Sequence, residues 1–310
     1  MNRTVAAILG VAAVVAIVAV AFVLLAGDRE PAASATPSPP ASVAEPNPSA
    51  SLQADMLDRR WTVLYVGTDL NERRESEGQG PNTDALMLVS LSADGSRLTL
   101  VSLPRDTVNV PIPGHSAYEG KINGLYNAQG IDALVGAMEE LYGVEIDGHL
   151  LLDMDDFASL VDAVGGVEVS PDEPLTDPIV DLDLDPGPQT LDASHTLGYV
   201  RTRVDQDYGR MARQQEVLVS LVRELVDPEA DIDLAGLIEG LDSLETDLPL
   251  DQLPTLLELA RRGAEAEVEE LVIGPPDMIT FEGDRGDGRG YILEPDVDAI
   301  RSEVQALIGD

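Results

Sequence analysis

Residues 61–69 have the sequence WTVLYVGTD, an apolar and β-branched run that ends in glycine, threonine and an acid. An unbroken run of this length, bounded by a glycine, is typical of a strand that is buried on both faces. Asp69 lies just past the carboxyl end of that strand. The segment therefore predicts a buried strand with a carboxylate at its end.

Two more strands are predicted directly after this one. Residues 85–91 form the second, with Asp84 just before it, and residues 98–103 form the third, after the turn sequence at 92–96. A turn this short makes strands two and three an antiparallel hairpin. If the first two strands are also antiparallel, which the sequence leaves open, one edge of the sheet brings together Asp69, Asp84, Arg105 and Asp106.

The rest of the chain alternates between helical and extended patterns. We predict helices at residues 131–142, 155–164, 208–225 and 295–308, and strands at residues 146–152, 196–203 and 268–273. This alternation is typical of a layered α/β domain. The acid- and proline-rich segment 171–188 is predicted to be an irregular surface excursion, with calcium binding as the alternative role of its carboxylates.

The N-terminus carries a membrane signal. Residues 5–26 contain no charged side chain, and as a helix they reach roughly 33 Å, which matches the hydrocarbon core of a bilayer. The run is longer than the apolar part of a cleaved signal peptide, although Ala33 and Ala35 resemble a cleavage site. Because Arg3 precedes the run, residues 1–4 are predicted to be cytoplasmic and the remainder extracytoplasmic. We therefore predict a single-pass signal anchor in the plasma membrane.

Composition divides the remaining chain into a tether and a folded body. Residues 27–54 are rich in Pro, Ala and Ser, a composition that cannot bury enough apolar surface to fold. Residues 55–310 are long enough for one large domain. The formal net charge of −38 argues against general nucleic-acid binding. The absence of cysteine excludes disulfides, thiolate zinc sites and a cysteine nucleophile.

Positive charge is scarce in this chain and is concentrated beside the predicted elements. The chain has a single lysine, and the six cations of interest are Arg105, Lys121, Arg201, Arg203, Arg210 and Arg213. Any one arginine in so acidic a protein is ordinarily a surface partner for a nearby carboxylate. The clustering of six instead favours an anion-binding site.

The helix predicted at residues 208–225 directs two polar side chains inward. Arg210 and Gln214 share a face with apolar residues of the following turns. A buried cation needs a partner, which is either an acid such as Asp205 or Asp207 or an anionic ligand. The helix N-terminus and the planar arginine fork suit a phosphate, and a substrate carboxylate is the alternative.

Two acids near these cations predict a metal ion. Asp69 and Asp84 suit magnesium, with manganese as a substitute, because such an ion bridges phosphate oxygens and keeps several waters. Capping of a turn or helix is the alternative role for either acid. Two carboxylates with several arginines and one lysine at strand ends suit a pyrophosphate, whose negative charge must be neutralised as its bond breaks.

Several short motifs, taken in order, resemble those of the LytR-CpsA-Psr proteins of bacterial cell envelopes. They are VGTD at 66–69, TD at 83–84, SLPRD at 102–106, KIN at 121–123, VGGV at 164–167, YVRTR at 199–203, DYGR at 207–210 and RQQ at 213–215. The motifs cover a core at residues 61–225, and residues 226–310 are expected to extend the same domain. Their combination is specific, whereas each motif alone is weak.

The resemblance implies a three-layer α/β/α domain with a mixed central sheet, preceded by one transmembrane helix. It also implies transfer of teichoic acid, capsule, arabinogalactan or a similar polymer from a polyprenyl pyrophosphate to peptidoglycan. Magnesium is then expected at Asp69 and Asp84, and the pyrophosphate at Arg105, Lys121, Arg201, Arg203, Arg210 and Gln214. One position departs from the family, because Asn82 stands where members often carry Arg. One of the family's phosphate contacts is therefore expected to be missing, whereas the metal site is expected to be unaffected.

These expectations define one enzyme and two rivals. In the main hypothesis, a sugar hydroxyl of a wall glycan attacks the sugar-proximal phosphorus and polyprenyl phosphate leaves. The catalytic residues are then Asp84, Arg105, Asp106 and Lys121, with Asp84 or Asp106 as the base. The first rival is a hydrolase that cuts the same pyrophosphate with water. The second is a non-catalytic, membrane-anchored regulator that senses polyprenyl phosphates.

Overall fold

The computed structural model describes residues 52–69, 80–227, 230, 232–239 and 244–309. The helices are α1 Ala54–Leu57, α2 Leu125–Gln129, α3 Ile131–Tyr142, α4 Met154–Ala163, α5 Ala193–Arg201, α6 Gln206–Val226, α7 Leu234–Glu239, α8 Leu253–Glu265 and α9 Val297–Ile308. The strands are β1 Trp61–Thr68, β2 Thr83–Leu91, β3 Arg97–Ser102, β4 Val110–Ile112, β5 His115–Tyr118, β6 Gly148–Asp153, β7 Val167–Val169, β8 Leu175–Asp177, β9 Leu182–Leu184, β10 Gln189–Leu191, β11 Glu245–Thr246, β12 Glu267–Val272, β13 Ile279–Asp284 and β14 Tyr291–Pro295. Short 3₁₀ turns lie at Ile122–Gly124 and Leu250–Gln252.

A six-stranded mixed sheet forms the centre of the domain, in the order β11-β6-β1-β2-β3-β12. Strand β1 pairs with β2 antiparallel and with β6 parallel, while β3 pairs with β2 antiparallel and with β12 parallel. Every residue of β1 is buried, as expected for a central strand covered on both faces. The predicted buried strand and the predicted mixed α/β fold with a mixed central sheet are confirmed.

Helices cover both faces of this sheet. Alternate residues of a strand point to opposite faces, and in β1 Val63 and Tyr65 join an apolar cluster with residues of α4, α5, α6 and α8. Leu64 and Val66 join a second cluster with residues of α3 and α9. The sheet is therefore the middle of three layers.

The ends of several neighbouring strands meet at one edge of the sheet. Thr68 at the end of β1 lies opposite Thr83 at the start of β2 and opposite Asp153 at the end of β6. Ser102 at the end of β3 pairs with Met87 of β2. The antiparallel relation of β1 and β2, which the sequence left open, is thus present, and it gathers the polar residues that follow these strands.

One predicted strand is wrong, because most of residues 196–203 belong to helix α5. The carboxylate of Asp192 accepts a hydrogen bond from the backbone N–H of His195 at 2.9 Å and caps the helix. Thr196, Tyr199 and Val200 are buried at helical spacing. The β-branched and aromatic content favoured a strand, but the cap and burial along one helical face outweigh that preference.

The predicted irregular segment 171–188 is wrong in part. Strands β8 and β9 form a short antiparallel hairpin there, with Leu175 opposite Leu184. Leu182 and Leu184 are buried in the apolar core, whereas Asp183 between them is exposed. Buried leucines and an exposed acid therefore alternate along β9, so this acid-rich segment forms a regular strand.

The predicted anchor at residues 5–26 lies outside the described residues, as does the tether except for its last three positions. Within the part of the chain that the structure describes, no helix combines the length and the apolar character needed to cross a bilayer. The folded body begins slightly earlier than predicted. The N–H of Gln53 donates to Thr255 Oγ1 at 3.0 Å, and Leu57 is buried.

Candidate active site

Asp84 lies in a β-bulge at the polar edge of the sheet. Gly67 pairs with Ala85 and Thr68 pairs with Thr83, so Asp84 has no partner across the β1–β2 ladder. A bulge of this kind re-aims a side chain. The Asp84 carboxylate accepts a hydrogen bond from Arg105 Nη1 at 2.6 Å. The start of β2 and the segment after β3 therefore meet as the sequence predicted.

A second acid–cation pair lies next to the first. Lys121 Nζ lies 2.8 Å from Asp106 Oδ1. The backbone aligns the two segments, because the N–H of Asn123 donates to the carbonyl of Arg105 at 3.2 Å. Burial opposes the charge of Arg105, but nearby carboxylates, Asp84 first among them, outweigh burial and raise the pKa of Arg105. Arg105 is therefore held in its charged form by the carboxylates around it.

Helix α6 and the segment before it add Arg203, Asp207 and the buried Arg210 to these two pairs. The arginine cluster is the set of these side chains, namely Asp84, Arg105, Asp106, Lys121, Arg203, Asp207 and Arg210. The Arg210 side chain is 2% exposed, which confirms the inward face predicted from helical spacing. Its Nη1 donates to the carbonyl oxygen of Asp84 at 3.1 Å and its Nη2 to Asp207 Oδ2 at 3.1 Å. Arg203 Nε lies 3.3 Å from the other oxygen of Asp207. The Asp207 carboxylate therefore pairs with both Arg203 and Arg210.

The charge around Arg210 is only partly balanced. Burial lowers its pKa; Asp207 opposes this effect, while the charges of Arg203 and Arg105 add to it. Its Nε is buried without a hydrogen-bond partner among the described residues. A buried donor without a partner costs about 1–3 kcal/mol. An anion held between these arginines would relieve both the repulsion and the missing hydrogen bond.

Arg201 and Gln214 lie beside the cluster rather than within its ion pairs. Arg201 Nε contacts Met154 Sδ at 3.0 Å, and Gln214 Nε2 donates to the Val200 carbonyl at 3.3 Å. Gln214 and Met154 line a narrow, mainly apolar cleft of about 30 Å³ at the end of β1 and β6. Their predicted roles as pyrophosphate ligands stay predictions.

Arg213, the sixth cation singled out from the sequence, is tied to the backbone. Its Nε donates to the carbonyl of Tyr199 at 2.8 Å and its Nη2 to that of Thr202 at 2.6 Å. Its Nη1 pairs with Asp205 at 2.6 Å. These bonds satisfy carbonyl groups at the C-terminal end of α5, which lack helical partners. Arg213 therefore fixes α5 against α6.

Asp69 and Asp84 stand at the ends of neighbouring strands. Asn82 orients Asp69, since its backbone N–H donates to one carboxylate oxygen at 2.7 Å and its side-chain amide to the other at 3.2 Å. Two carboxylates beside a phosphate site are the donors that magnesium takes together with waters. Residues 52–69, 80–227 and the later described segments contain no group of three or more His, Cys, Asp or Glu side chains able to hold a metal. Waters and substrate oxygens would complete the shell of an ion held by these two carboxylates.

A cavity of about 570 Å³ opens beside the cluster, a size typical of ligand sites. Its lining includes three residues of the cluster and three outside it, namely Asp106, Arg203, Asp207, Tyr208, Glu282 and Tyr291. Sequence reasoning missed Glu282 and Tyr291 as site residues. Both lie in the C-terminal extension, where no motif or periodic pattern marks them.

Comparison with known proteins extends this picture. The model of the LytR_cpsA_psr family matches residues 33–292. "Probable cell wall biosynthesis protein LcpB" of Corynebacterium glutamicum is 36% identical over 178 residues, which cover 53% of this chain and 42% of that protein. "Polyisoprenyl-teichoic acid--peptidoglycan teichoic acid transferase TagU" of Enterococcus faecalis is 28% identical over 251 residues, 79% of this chain and 78% of that protein.

The crystal structure of Bacillus subtilis TagV superposes with a TM-score of 0.63 at 23% identity, covering 81% of this chain and 98% of that one. This likeness concerns the fold. The chain spans about half the length of the first curated relatives that it matches.

Proposed function

The chain belongs to the LytR_cpsA_psr family, and on that premise we propose that it transfers a wall glycopolymer from a polyprenyl pyrophosphate to peptidoglycan, releasing polyprenyl phosphate. The observation that carries this proposal is the buried Arg210, which is crowded by Arg105 and Arg203 and only partly neutralised by Asp207. A diphosphate supplies the missing negative charge, and arginine forks grip phosphate oxygens at two points. The names of the relatives, which include wall biosynthesis proteins and teichoic acid transferases, support the same substrate class.

The proposed reaction is one displacement at phosphorus. A hydroxyl oxygen of the acceptor sugar bonds to the sugar-proximal phosphorus, while the bond from that phosphorus to the bridging oxygen breaks. Polyprenyl phosphate leaves with the bridging oxygen and its electron pair. Arg105, Arg203 and Arg210 stabilise the charge that develops on the phosphate oxygens.

Asp106 is the better-placed of the two candidate bases. It lines the cavity in which an acceptor can approach, whereas Asp84 is bonded to Arg105 and its backbone carbonyl accepts from Arg210. Asp106 would take the proton of the attacking hydroxyl. Lys121 holds Asp106 at 2.8 Å and fixes its orientation.

Asp69 and Asp84 would hold the magnesium ion expected for this chemistry. When bound, the ion neutralises charge on the diphosphate and on the leaving phosphate. Asn82 contributes by orienting the Asp69 carboxylate, so the residue that departs from the family pattern supports the metal site instead of a phosphate.

The lipid substrate agrees with the predicted anchor at residues 5–26, an N-terminus in the cytoplasm and a catalytic domain outside the plasma membrane. The apolar cleft beside Gln214 is the natural start of a path for the prenyl tail.

Reconstitution with a defined donor tests this function. The full chain in detergent would receive a radiolabelled polyprenyl pyrophosphate-linked glycopolymer, uncross-linked peptidoglycan and magnesium. We expect a covalent polymer–glycan product and polyprenyl phosphate in equal amounts. Arg105→Ala should abolish both products, whereas Arg261→Ala should keep them, and this difference would locate the reaction in the cluster. Arg261 is a suitable control because it is an exposed arginine paired with Glu258 and Glu265.

The same assay separates the rival functions. A hydrolase releases polyprenyl phosphate without attaching the polymer to the glycan. A regulator binds the donor and forms neither product. Either result with active relatives as positive controls contradicts the proposed transfer.

A further inference from the structure

The hairpin β13–β14 forms one wall of the large cavity and is fixed to the catalytic segment. The N–H of Leu293 donates to the carbonyl of Asp106 at 3.1 Å, and the N–H of Val108 donates back to the carbonyl of Leu293 at 2.9 Å. On the hairpin itself, Arg285 pairs with Glu294 at 2.5 Å and stacks over the ring of Phe281 at 3.8 Å. The wall is therefore held in place relative to Asp106.

The polar groups of this wall suit hydroxyl-bearing ligands. The hydroxyl of Tyr291 donates to Glu282 Oε1, and Tyr291 is 49% exposed. The hydroxyl of Tyr208 is buried and also lies close to Glu282, since burial, followed by the charge of Glu282, raises the pKa of Tyr208. Carboxylates and tyrosines accept and donate hydrogen bonds, and an exposed ring offers an apolar face.

The charge of this wall differs from that of the arginine cluster. The hairpin contributes the carboxylate of Glu282 to the cavity lining, whereas Arg203, Asp106 and Asp207 line it from the cluster. Burial, followed by hydrogen bonding to Glu282 and its charge, raises the pKa of Tyr291 to about 12, and Asp106 and Asp207 act in the same direction. Carboxylates repel phosphate at short distance. An anionic donor is therefore directed to the arginines, and the hairpin side is left for an uncharged ligand.

We propose that this wall is the subsite for the acceptor glycan, in which Glu282 and Tyr291 bind the hydroxyl and acetamide groups of a sugar next to the reacting one. The inference rests on the proposed transfer, and it assigns the acceptor to the hairpin side of the cavity. Asp106 lies at the junction of the two sides, where the attacking hydroxyl must meet the phosphorus. The ring of Tyr291 would stack on a sugar face, and Glu282 would fix its orientation.

Kinetics with separate donor and acceptor titrations test the subsite. Glu282→Gln and Tyr291→Ala in the full chain should each raise the KM for uncross-linked peptidoglycan about tenfold, because the first loses a hydrogen bond to a charged group and the second loses the stacked ring. The Kd for the pyrophosphate donor should change by less than about twofold, well under the energy of one such bond. Asp287→Asn is the matched control, since Asp287 is on the same hairpin loop, pairs with Arg289 and does not line this cavity. It should keep the original KM.

A binding measurement makes the test independent of transfer. Calorimetric titration with an N-acetylglucosamine tetrasaccharide should show binding to the unaltered chain and about tenfold weaker binding to Glu282→Gln. If binding follows this pattern but no conjugate forms, the subsite stands and the proposed transfer fails. If Glu282→Gln and Tyr291→Ala keep the original acceptor KM and tetrasaccharide affinity, or weaken only the donor, the subsite is overturned while transfer itself is unaffected.

Discussion

Arg210 and Arg213 lie three positions apart on α6 and have different partners. Arg210 contacts the carboxylate of Asp207 and the backbone of Asp84 at the polar edge of the sheet, while Arg213 contacts carbonyl groups at the end of α5. Both side chains are buried. Burial therefore does not distinguish the two arginines, but their hydrogen bonding does, because Arg213 uses Nε, Nη1 and Nη2 as donors whereas Arg210 Nε has no partner among the described residues.

Replacement of Arg210 by Ala should affect binding more than stability. Donor affinity should fall by about tenfold or more, since charge-assisted forks to phosphate are strong. The free energy of unfolding should fall by only about 1–2 kcal/mol, because Asp207 keeps Arg203 as a partner. Urea denaturation and donor titration measure the two quantities. A loss of several kcal/mol with donor affinity retained would make Arg210 structural.

Asp69→Asn and Asp84→Asn test the magnesium site. Each removes one negative charge while keeping the shape of the side chain, so each should weaken magnesium binding in the presence of donor and slow transfer. Asp94→Asn, on the exposed turn between β2 and β3, is the control. Calorimetric magnesium titration decides the outcome, and unchanged affinity in both site variants would exclude them as ligands.

Among the elements, helices α5 and α6 depend on one another through Arg213. The C-terminal turn of α5 has no continuation, and its carbonyls at Tyr199 and Thr202 are satisfied by a side chain of α6. Arg201 ends α5, Arg203 lies in the segment between the two helices, and Arg210 lies in the first turns of α6. The spacing of the site therefore depends on a contact outside it.

Arg213→Met should weaken the fold without removing a site contact. The apolar replacement leaves two buried carbonyls without donors, which we expect to cost about 2–4 kcal/mol of unfolding free energy. Asp205 is partly exposed and can be hydrated. Urea denaturation measures the loss. Stability equal to that of the original chain would show that water replaces the guanidinium and that the junction does not depend on it.

The chain consists of a folded α/β domain and a long N-terminal segment that is predicted to contain a membrane anchor. Helix α1 belongs to the domain, because Trp61 Nε1 donates to the Met56 carbonyl at 2.7 Å and Arg262 Nη1 to that of Leu57 at 3.0 Å. The folded body therefore includes residues that composition assigned to the tether, and among the described residues Gln53 is the first with a long-range hydrogen bond.

Truncation tests this boundary. A chain that starts at residue 52 should fold without detergent and unfold at the same temperature as one that starts at residue 27, because residues 27–51 are predicted to add no core. A chain that starts at residue 60 should lose about 2–4 kcal/mol through the burial of Leu57 and the associated hydrogen bonds. Thermal and urea unfolding compare the three chains. Aggregation of the first chain alone would place the boundary elsewhere.

Local patterns in the sequence were sufficient for much of this protein. The apolar run of β1, the turn between β2 and β3 and the inward phase of Arg210 all follow from periodicities of a few residues, because side-chain direction repeats every two residues in a strand and every 3.6 in a helix. The meeting of Asp84 with Arg105 also followed, since strand ends join at one edge once the pairing is antiparallel.

Only the tertiary structure decided the remainder. The sequence predicted a strand where α5 forms. The segment is helical because the cap at Asp192 and burial against α6 outweigh its intrinsic strand preference. The bulge at Asp84 arises from pairing with β1. Glu282 and Tyr291 reach the site because β14 bonds to the segment around Asp106, far earlier in the chain. A short sequence window encodes direction along an element, but contacts between distant elements depend on how the whole core packs.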